Sequence, residues 1–389
     1  MQVLFCHDGP LTKYNNEYYG IAHNDELFER YKSIANRIGT VIRLNHTRNE
    51  DIMKSYSKIT VSPFKVYEIP NIGSVKGILL HKKRAKKIIE DAVLESDYIV
   101  ARLPSFSGFI AIDYALKHNK PYLTEVVTCP WDAYWNHSFR GKLVAPLMYR
   151  ATKKRVKESK YVVYVTNEFL QKRYPTEGNS VNCSNVALTE FDDEILKRRL
   201  EKIKNKKAND KIILGTTAAV DVRFKGQQYI IEALGELKKQ GYTNYEYQLV
   251  GSGDQSYLKS VAKKYGVTDQ VKFLGPLLHK DVFKWLETID IYTQPSRQEG
   301  LPRALIEAMS RGVPAFGADT AGIPELLSPQ YIFSNTRSNI TEICELLLNY
   351  DKELLIEQSI ENYDRSKEYD NKLINDRRKK FFEQFVMGE

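Results

Sequence analysis

Apolar and polar positions alternate along this chain in two rhythms that take turns. Short runs rich in β-branched and aromatic residues ("QVLFC", "TVIRL", "DYIVARL", "PYLTEVV", "YVVYVT") predict strands. Between them lie longer amphipathic stretches, such as "NDELFERYKSIANRIG" and "SGFIAIDYALKHN", whose spacing predicts helices. Strand-helix alternation implies a parallel sheet covered on both faces. The second half repeats the plan with "KIILGTT", "YEYQLVG", "VKFLG", "IDIYTQ" and "GVPAFG". At 389 residues the chain exceeds one ordinary core, so two α/β domains are expected. The stretch "LTEFDDEILKRRLEKIKNKKANDK" reads as a charged surface connection between them, with Asp192 or Asp193 as a helix cap.

Composition adds exclusions. Hydrophobic residues make up 42% and charged residues 28%, a globular rather than a disordered mixture. No apolar run approaches the ~18 residues of a membrane span, and "MQVLFCHDGP" lacks the basic and long apolar regions of a signal peptide. Cys6, Cys129, Cys183 and Cys344 form no close pair, against a zinc or disulfide framework. A reducing, cytoplasmic setting is expected. Charge is uneven: residues 1–190 hold 28 Lys+Arg and 19 Asp+Glu, so the +9 total sits in the first half. A basic half invites an anionic partner: nucleic acid, lipid or a phosphorylated acceptor.

The chemistry-bearing stretches follow predicted strands, where doubly wound sheets bind ligands. In "PSRQEGLPRALIEAMSRG" a loop carrying Glu299 opens a helix carrying Glu307, with Pro302 at the first helical position and Gly312 as the C-terminal cap. Free N–H groups near Gly300, Leu301 and Arg303 form an anion site. Carboxylates accept hydrogen bonds from hydroxyls rather than bind phosphate. The stretch can therefore hold a sugar, a diphosphate and a ribose from end to end; a solvated helix with an exposed glutamate is the plainer alternative. In "DVRFKGQQYIIEALGELKKQG", Arg223 and Lys225 precede a helix opening near Gly226, either as a phosphate site or as surface cations. In "LVGSGDQSYLKS", Gly251 and Gly253 make a tight strand-to-helix turn, with Asp254 as a possible cap. In "VKFLGPLLHKDV", Leu274 and Gly275 stand at a strand end where backbone could meet a nucleobase. Gly9, in the segment 7–20 read as a loop, either lets backbone approach a ligand or simply makes the turn.

"VRFKG", "LVGSG", "VKFLG", "IDIYTQPSRQEGLPRALIEAMSRGVPAFG" and "AGIPELL", in this order over about 210–330, resemble the second half of the retaining GT-B glycosyltransferases of family 4 (group 1), which build capsule and lipopolysaccharide. The resemblance implies two Rossmann-like domains facing across a cleft: 1–190 on the acceptor side and 191–369 binding the nucleotide sugar. It also implies a final helix, 370–389, crossing back to the first domain, where Phe381, Phe382 and Phe385 could dock. It implies that Glu307 holds the ribose, Glu299 the donor sugar and Lys225 the diphosphate, with no metal or other cofactor. The usual family arginine is replaced by Val220, leaving Arg223 to substitute. No histidine ends the strand "YLTEVVT"; Asp132 or His137 could stand in.

"GILLHKKRAKKIIEDAVLE" (77–95) and "SFRGKLVAPLMYRATKKRVKESK" (138–160) are basic and amphipathic, suiting either an anionic membrane or a solvated face over a buried stripe. The expected activity is retaining transfer from a UDP-sugar, or next a GDP-sugar, to a glycan or polyprenyl-diphosphate-linked acceptor, in the cytoplasm or on the inner membrane face. Two alternatives stand: a non-transferring GT-B enzyme such as a sugar-nucleotide epimerase, and a basic nucleic-acid-binding protein. No nucleic-acid motif is recognised, so no such partner is expected.

Overall fold

Two largely parallel sheets organise the chain. The structure is a computed structural model and describes residues 1–21, 23–47, 56–72, 75–136, 139–186, 188–207, 209–336 and 338–388. Among them the first sheet has nine strands: β1 (Gln2–Tyr14), β2 (Glu17–Gly20), β3 (Arg37–His46), β4 (Ser57–Lys58), β5 (Phe64–Ile69), β6 (Tyr98–Leu103), β7 (Tyr122–Val126), β8 (Tyr161–Tyr164) and β9 (Asn179–Asn182). Seven of them form a parallel array in the order β5-β3-β1-β6-β7-β8-β9. The second sheet is parallel throughout. It comprises β10 (Ile212–Thr217), β11 (Tyr245–Val250), β12 (Val271–Gly275), β13 (Ile291–Gln294), β14 (Ala315–Ala318) and β15 (Ile332–Phe333), in the order β12-β11-β10-β13-β14-β15. The chain reverses direction across each sheet at β1/β6 and at β10/β13. Ligands of such sheets bind beyond the strand ends at these switch points.

The segment 7–20, read from the sequence as a loop, is instead the second half of β1 and a hairpin. A register shift between Cys6 and Pro10 re-aims the strand, which then runs on to Tyr14. Asn15 and Asn16 both take positive φ (46° and 63°), the backbone that a two-residue hairpin turn requires and that asparagine tolerates. The charged stretch after residue 191 also differs from a bare connection. Asp193–Asn205 is a helix capped by Asp192, whose carboxylate accepts from Glu194 N–H. Ile195, Arg199 and Ile203, spaced by four, face inward. Arg199 is buried and donates to the carbonyls of Leu286 and Ile289, taking up groups that the end of the helix His279–Thr288 leaves unpaired.

The last helix, Asn371–Met387, packs on the first domain. Phe382 stacks on Tyr31 at 6.0 Å between ring centres, and Phe385 meets Tyr98 and Tyr161 edge-on. Arg378 donates to the Ser184 carbonyl from the same helix. The two chain crossings between domains touch: Asn371 N–H donates to the Leu188 carbonyl at 2.8 Å.

Candidate active site

The loop after β10 and the loop after β13 are stitched together at the second sheet's switch point. Arg223–Lys225 forms one 3₁₀ turn, ended by Gly226 at φ +77°. A side chain on Gly226 would lie 1.9 Å from the Pro295 carbonyl oxygen, so only glycine lets the two loops meet. Arg297 N–H donates to the Phe224 carbonyl at 2.7 Å. This closure sets Lys225 Nζ 2.7 Å from Glu299 Oε1. Gln294, at the end of β13, donates to the same carboxylate at 3.1 Å. The Glu299 side chain is 12% exposed and that of Lys225 25%. A half-sequestered ion pair thus waits at the strand ends with its charge largely shielded from bulk water.

Glu307 lies on the helix Arg303–Met309, which begins one residue beyond Pro302; Pro302 itself is the cap rather than the first helical residue. Its carboxylate sits 3.2 Å from His279 Nε2. That hydrogen bond raises the histidine pKa above its ordinary value, against the opposing effect of partial burial. Gly300 meets the first domain: a Cβ there would stand 2.2 Å from the Val127 carbonyl oxygen. Thr128 donates to the Glu299 carbonyl at 3.1 Å and Asn136 to the Arg297 carbonyl at 2.7 Å. Leu301 is buried, its side chain packed beside Gly322, while Arg303 is exposed.

The neighbouring strand ends are equally close-knit. A Cβ on Gly251 would lie 1.9 Å from the Ala218 carbonyl oxygen, and Gly251 N–H donates to the Gly275 carbonyl. Gly253 takes φ +120° beside the Asp221 carboxylate. Asp254 accepts from Ser256 N–H, one residue before the cap position of the next helix. Gly275, at φ +73°, has open space on its side-chain face, and Leu274 beside it is 43% exposed. Four residues beyond Gly275, His279 links this strand end to Glu307.

The remaining sequence candidates lie elsewhere in the cleft region. Arg223 stacks over Tyr257 at 4.3 Å and lines an inter-domain groove with Trp135 and Arg297, whereas Lys225 and Glu299 line neither that groove nor its neighbour. Asp132 lines the neighbouring cavity. Burial pushes its pKa up, partly offset by the Cys129 thiol and by Arg173, 4.0 Å away. His137 lies outside the described residues. Gly9 is pressed against two histidine rings: a Cβ would come within 2.4 Å of His23 Cε1 and 2.9 Å of His7 Nδ1.

Several polar clusters escaped the sequence reading. His7 and His23 share a hydrogen bond of 3.0 Å, and Gly9 N–H donates to His7 Nδ1 at the same distance. Burial, then the partner His23, then Arg102 drive the His7 pKa well below its ordinary value; burial and Arg102 bring His23 to about 4. Asp8 accepts from the N–H groups of Phe106 and Ser107, capping the helix that follows β6. Glu325, in "AGIPELL", accepts from three first-domain N–H groups, those of Asn167 (2.6 Å), Glu168 (3.1 Å) and Phe169 (2.5 Å). The only signal for His279 and Glu325 lay in stretches already singled out, without a partner to point at.

Two Rossmann-like domains that close on each other have the architecture of the GT-B fold. Residues 197–354 match the family described as Glycosyl transferases group 1. Protein CapJ of Staphylococcus aureus is 33% identical over 337 residues, which is 86% of this chain and 82% of CapJ. The chain belongs to the group 1 glycosyltransferase family. The amylovoran biosynthesis glycosyltransferase AmsK of Erwinia amylovora is 36% identical over 110 residues, 26% of this chain and 27% of AmsK. In fold, the chain is similar to Anabaena HepE in complex with UDP-glucose, with a TM-score of 0.64 and 17% identity over 97% of this chain and 98% of HepE.

Proposed function

We propose that the protein transfers a sugar, with retained anomeric configuration, from a nucleoside-diphosphate sugar to a glycan or lipid-linked acceptor in surface polysaccharide synthesis. A UDP-sugar is the first choice of donor and a GDP-sugar the second; HepE supports this by binding UDP-glucose in a similar fold. The name of AmsK supports the polysaccharide setting. The observation that carries the reading is the Lys225–Glu299 pair beside the helix bearing Glu307. In this reading the diphosphate takes Lys225 from Glu299. The freed carboxylate then accepts hydroxyl hydrogens of the donor sugar, and Glu307 those of the ribose. As the bond from the anomeric carbon to the diphosphate oxygen breaks, its electron pair goes to the diphosphate. Lys225 and loop N–H groups stabilise that charge. The acceptor oxygen bonds to the same carbon and gives its proton to the leaving phosphate. Lys225 supplies the positive charge that a metal would otherwise bring.

Contact with an anionic membrane is part of the same proposal. The helix Phe139–Glu158 presents Phe139, Leu143 and Leu147, spaced by four, at 79%, 69% and 64% exposure. Arg140, Lys142, Arg150, Lys153 and Lys154 are exposed on the same helix. Apolar rows flanked by cations insert at the headgroup boundary of anionic bilayers. Among the described residues no helix is long and apolar enough to cross a membrane.

Thermal stability with UDP, GDP, ADP and CMP, each with and without EDTA, tests the donor reading. Saturation at 100 times Kd adds about 2.7 kcal/mol. A rise with one diphosphate, unchanged by EDTA and lost in Lys225→Ala, is the expected result. No rise with any nucleotide overturns it.

A further inference from the structure

A cavity of about 380 Å³ lies where the last helix, Asn371–Met387, packs against the turn Arg30–Ser33 of the first domain. That is room for a small metabolite. Two guanidiniums, those of Arg30 and Arg378, form its floor. The Arg30 side chain is 12% exposed and Arg378 is 4% exposed. Arg378 donates to the Asn375 side-chain oxygen at 2.6 Å and to the Ser184 carbonyl at 2.8 Å; among the described residues it has no carboxylate partner. Arg30 donates to Asn185 Oδ1 at 2.8 Å, while its ion-pair partner, the exposed Glu26, stands off at 3.7 Å. Behind them Glu125 is already taken up, by Arg102 at 2.8 Å and by the Tyr31 hydroxyl at 2.9 Å.

The sequestered charge does not balance. Three guanidiniums, Arg30, Arg102 and Arg378, surround one carboxylate, which leaves an excess of two positive charges. Burial alone would raise the Glu125 pKa, but Arg102 and then Arg30 overcome it and keep the group ionised. Burial and then the neighbouring Arg378 bring Arg30 down to about 10. Like charges held together out of water call for a counter-anion. A phosphate monoester carries about −1.5 to −2 near neutral pH, which matches the excess, and its three free oxygens suffice for both guanidiniums at once. The rim has the opposite sign. Glu26, Glu29 and Asp376 are exposed there, with Lys379 as the rim cation. Glu29 is spent on Lys32 at 2.7 Å. Over the whole lining three cations meet three carboxylates, but two of the cations lie deep and all the acids lie at the surface. The complement of such a lining is a ligand negative at its inner end and positive at its outer end.

We infer that this cavity binds a small amino-phosphate, a phosphate monoester bearing an ammonium group, with the phosphate between Arg30 and Arg378 and the ammonium toward Glu26 and Asp376. The site is built from first-domain and tail residues alone, so the inference does not rest on the transferase reading. A ligand held by both guanidiniums pins the last helix to the first domain. The test is titration calorimetry of the full chain with O-phosphoethanolamine, with glycerol 3-phosphate, which lacks the ammonium, and with ethanolamine, which lacks the phosphate. The wild type is expected to bind O-phosphoethanolamine, to bind glycerol 3-phosphate at least fivefold more weakly, and not to bind ethanolamine. Glu26→Gln/Asp376→Asn should bring the two phosphates to equal affinity. Arg378→Gln should weaken both at least tenfold. Lys225→Ala should bind O-phosphoethanolamine as the wild type does, which separates this cavity from the donor site. No binding of O-phosphoethanolamine, equal affinity for the two phosphates in the wild type, or loss of binding in Lys225→Ala overturns the inference. So does unweakened binding by Arg378→Gln. If Arg378→Gln does not fold, the Glu26→Gln/Asp376→Asn variant decides, and an unchanged preference for O-phosphoethanolamine there overturns the inference.

Discussion

Lys225 Nζ stands 2.7 Å from Glu299 Oε1, joining two loops separated by 74 residues. The pair keeps a cation ready in a site where its unpaired charge would be costly. On the proposed reading donor binding exchanges their partners, which makes the two residues separable by mutation. Lys225→Met should weaken nucleotide-diphosphate binding more than tenfold and slow transfer by about 10²–10³-fold, the scale of a lost charge-stabilising donor. Glu299→Gln should keep nucleotide binding within a few-fold and lower kcat. Calorimetry with the nucleotide and initial rates with the donor sugar separate the two effects. Equal losses of nucleotide binding in both variants would remove the division of roles.

With the ribose on Glu307, as proposed, His279 competes with it for the carboxylate. The hydrogen bond to Glu307 raises the His279 pKa above the ordinary value of about 6.5. A ribose that takes over the Glu307 carboxylate returns the histidine toward that value and releases its proton. Nucleotide affinity should therefore rise with pH from about 6.5 upward through the raised pKa. In His279→Ala that slope should flatten. Titration calorimetry at several pH values reads both; a pH-independent Kd in the wild type would count against ribose binding at Glu307.

The His7–His23 pair predicts acid sensitivity of the first domain. His23 is buried and its folded-state pKa is about 4, below the ordinary 6.5, so the unfolded chain binds protons first as pH falls. The stability from keeping this ring neutral is complete above about 6.5 and is lost as pH falls through about 4. The difference is of order 3 kcal/mol. His23→Gln should show a smaller fall in melting temperature between pH 7 and pH 4.5 than the wild type. Parallel pH profiles for the two proteins would refute the assignment.

Glu325 ties the domains through three amide donors. Glu325→Ala leaves them without this partner; Asn167 and Glu168 are exposed, so water replaces the carboxylate there and the cost is about 0.5–1.5 kcal/mol. A melting temperature lower by a few degrees and a larger radius of gyration in solution scattering are expected. An unchanged radius would mean that the other bridges suffice to keep the domains closed.

Membrane contact through the Phe139 row is read by flotation with vesicles. Wild-type protein should float with phosphatidylglycerol vesicles and not with phosphatidylcholine ones. Phe139→Ser/Leu143→Ser/Leu147→Ser should stay at the bottom of the gradient. Each neighbouring cation contributes about 1 kcal/mol near an anionic surface, so retention should also fall with salt. No flotation of the wild type at low salt would remove the membrane from the proposal.

What could be read from the sequence was whatever the chain keeps local. The glycine-punctuated loops after β10, β11, β12 and β13 carry their geometry within a few residues, so Lys225, Gly251 and Glu299 stood out. The twofold strand-helix rhythm gave both domains. Asp8, His7 and His23 did not stand out, because "HDGP" and "AHND" resemble ordinary turn residues until β1 and the β2 hairpin bring the rings together. Glu325 reads as a helix-forming acid until a chain segment 156–158 residues away supplies its N–H groups. The exposure of Phe139, Leu143 and Leu147 was hidden for a related reason: spacing shows that one helix face is apolar, not whether a neighbour covers it. The Trp135 cavity depends on side chains from two domains, and no local pattern encodes it.

The paired crossings at Leu188 and Asn371 have a mechanical meaning. A single strand between two bodies is a swivel, free to twist about its own axis. Two strands side by side, hydrogen-bonded to each other, behave as a leaf hinge. Twisting would have to shear the bond between them, while bending about the line that joins them leaves it intact. A hydrogen-bonded pair of crossings therefore favours a swing of the second domain over a twist.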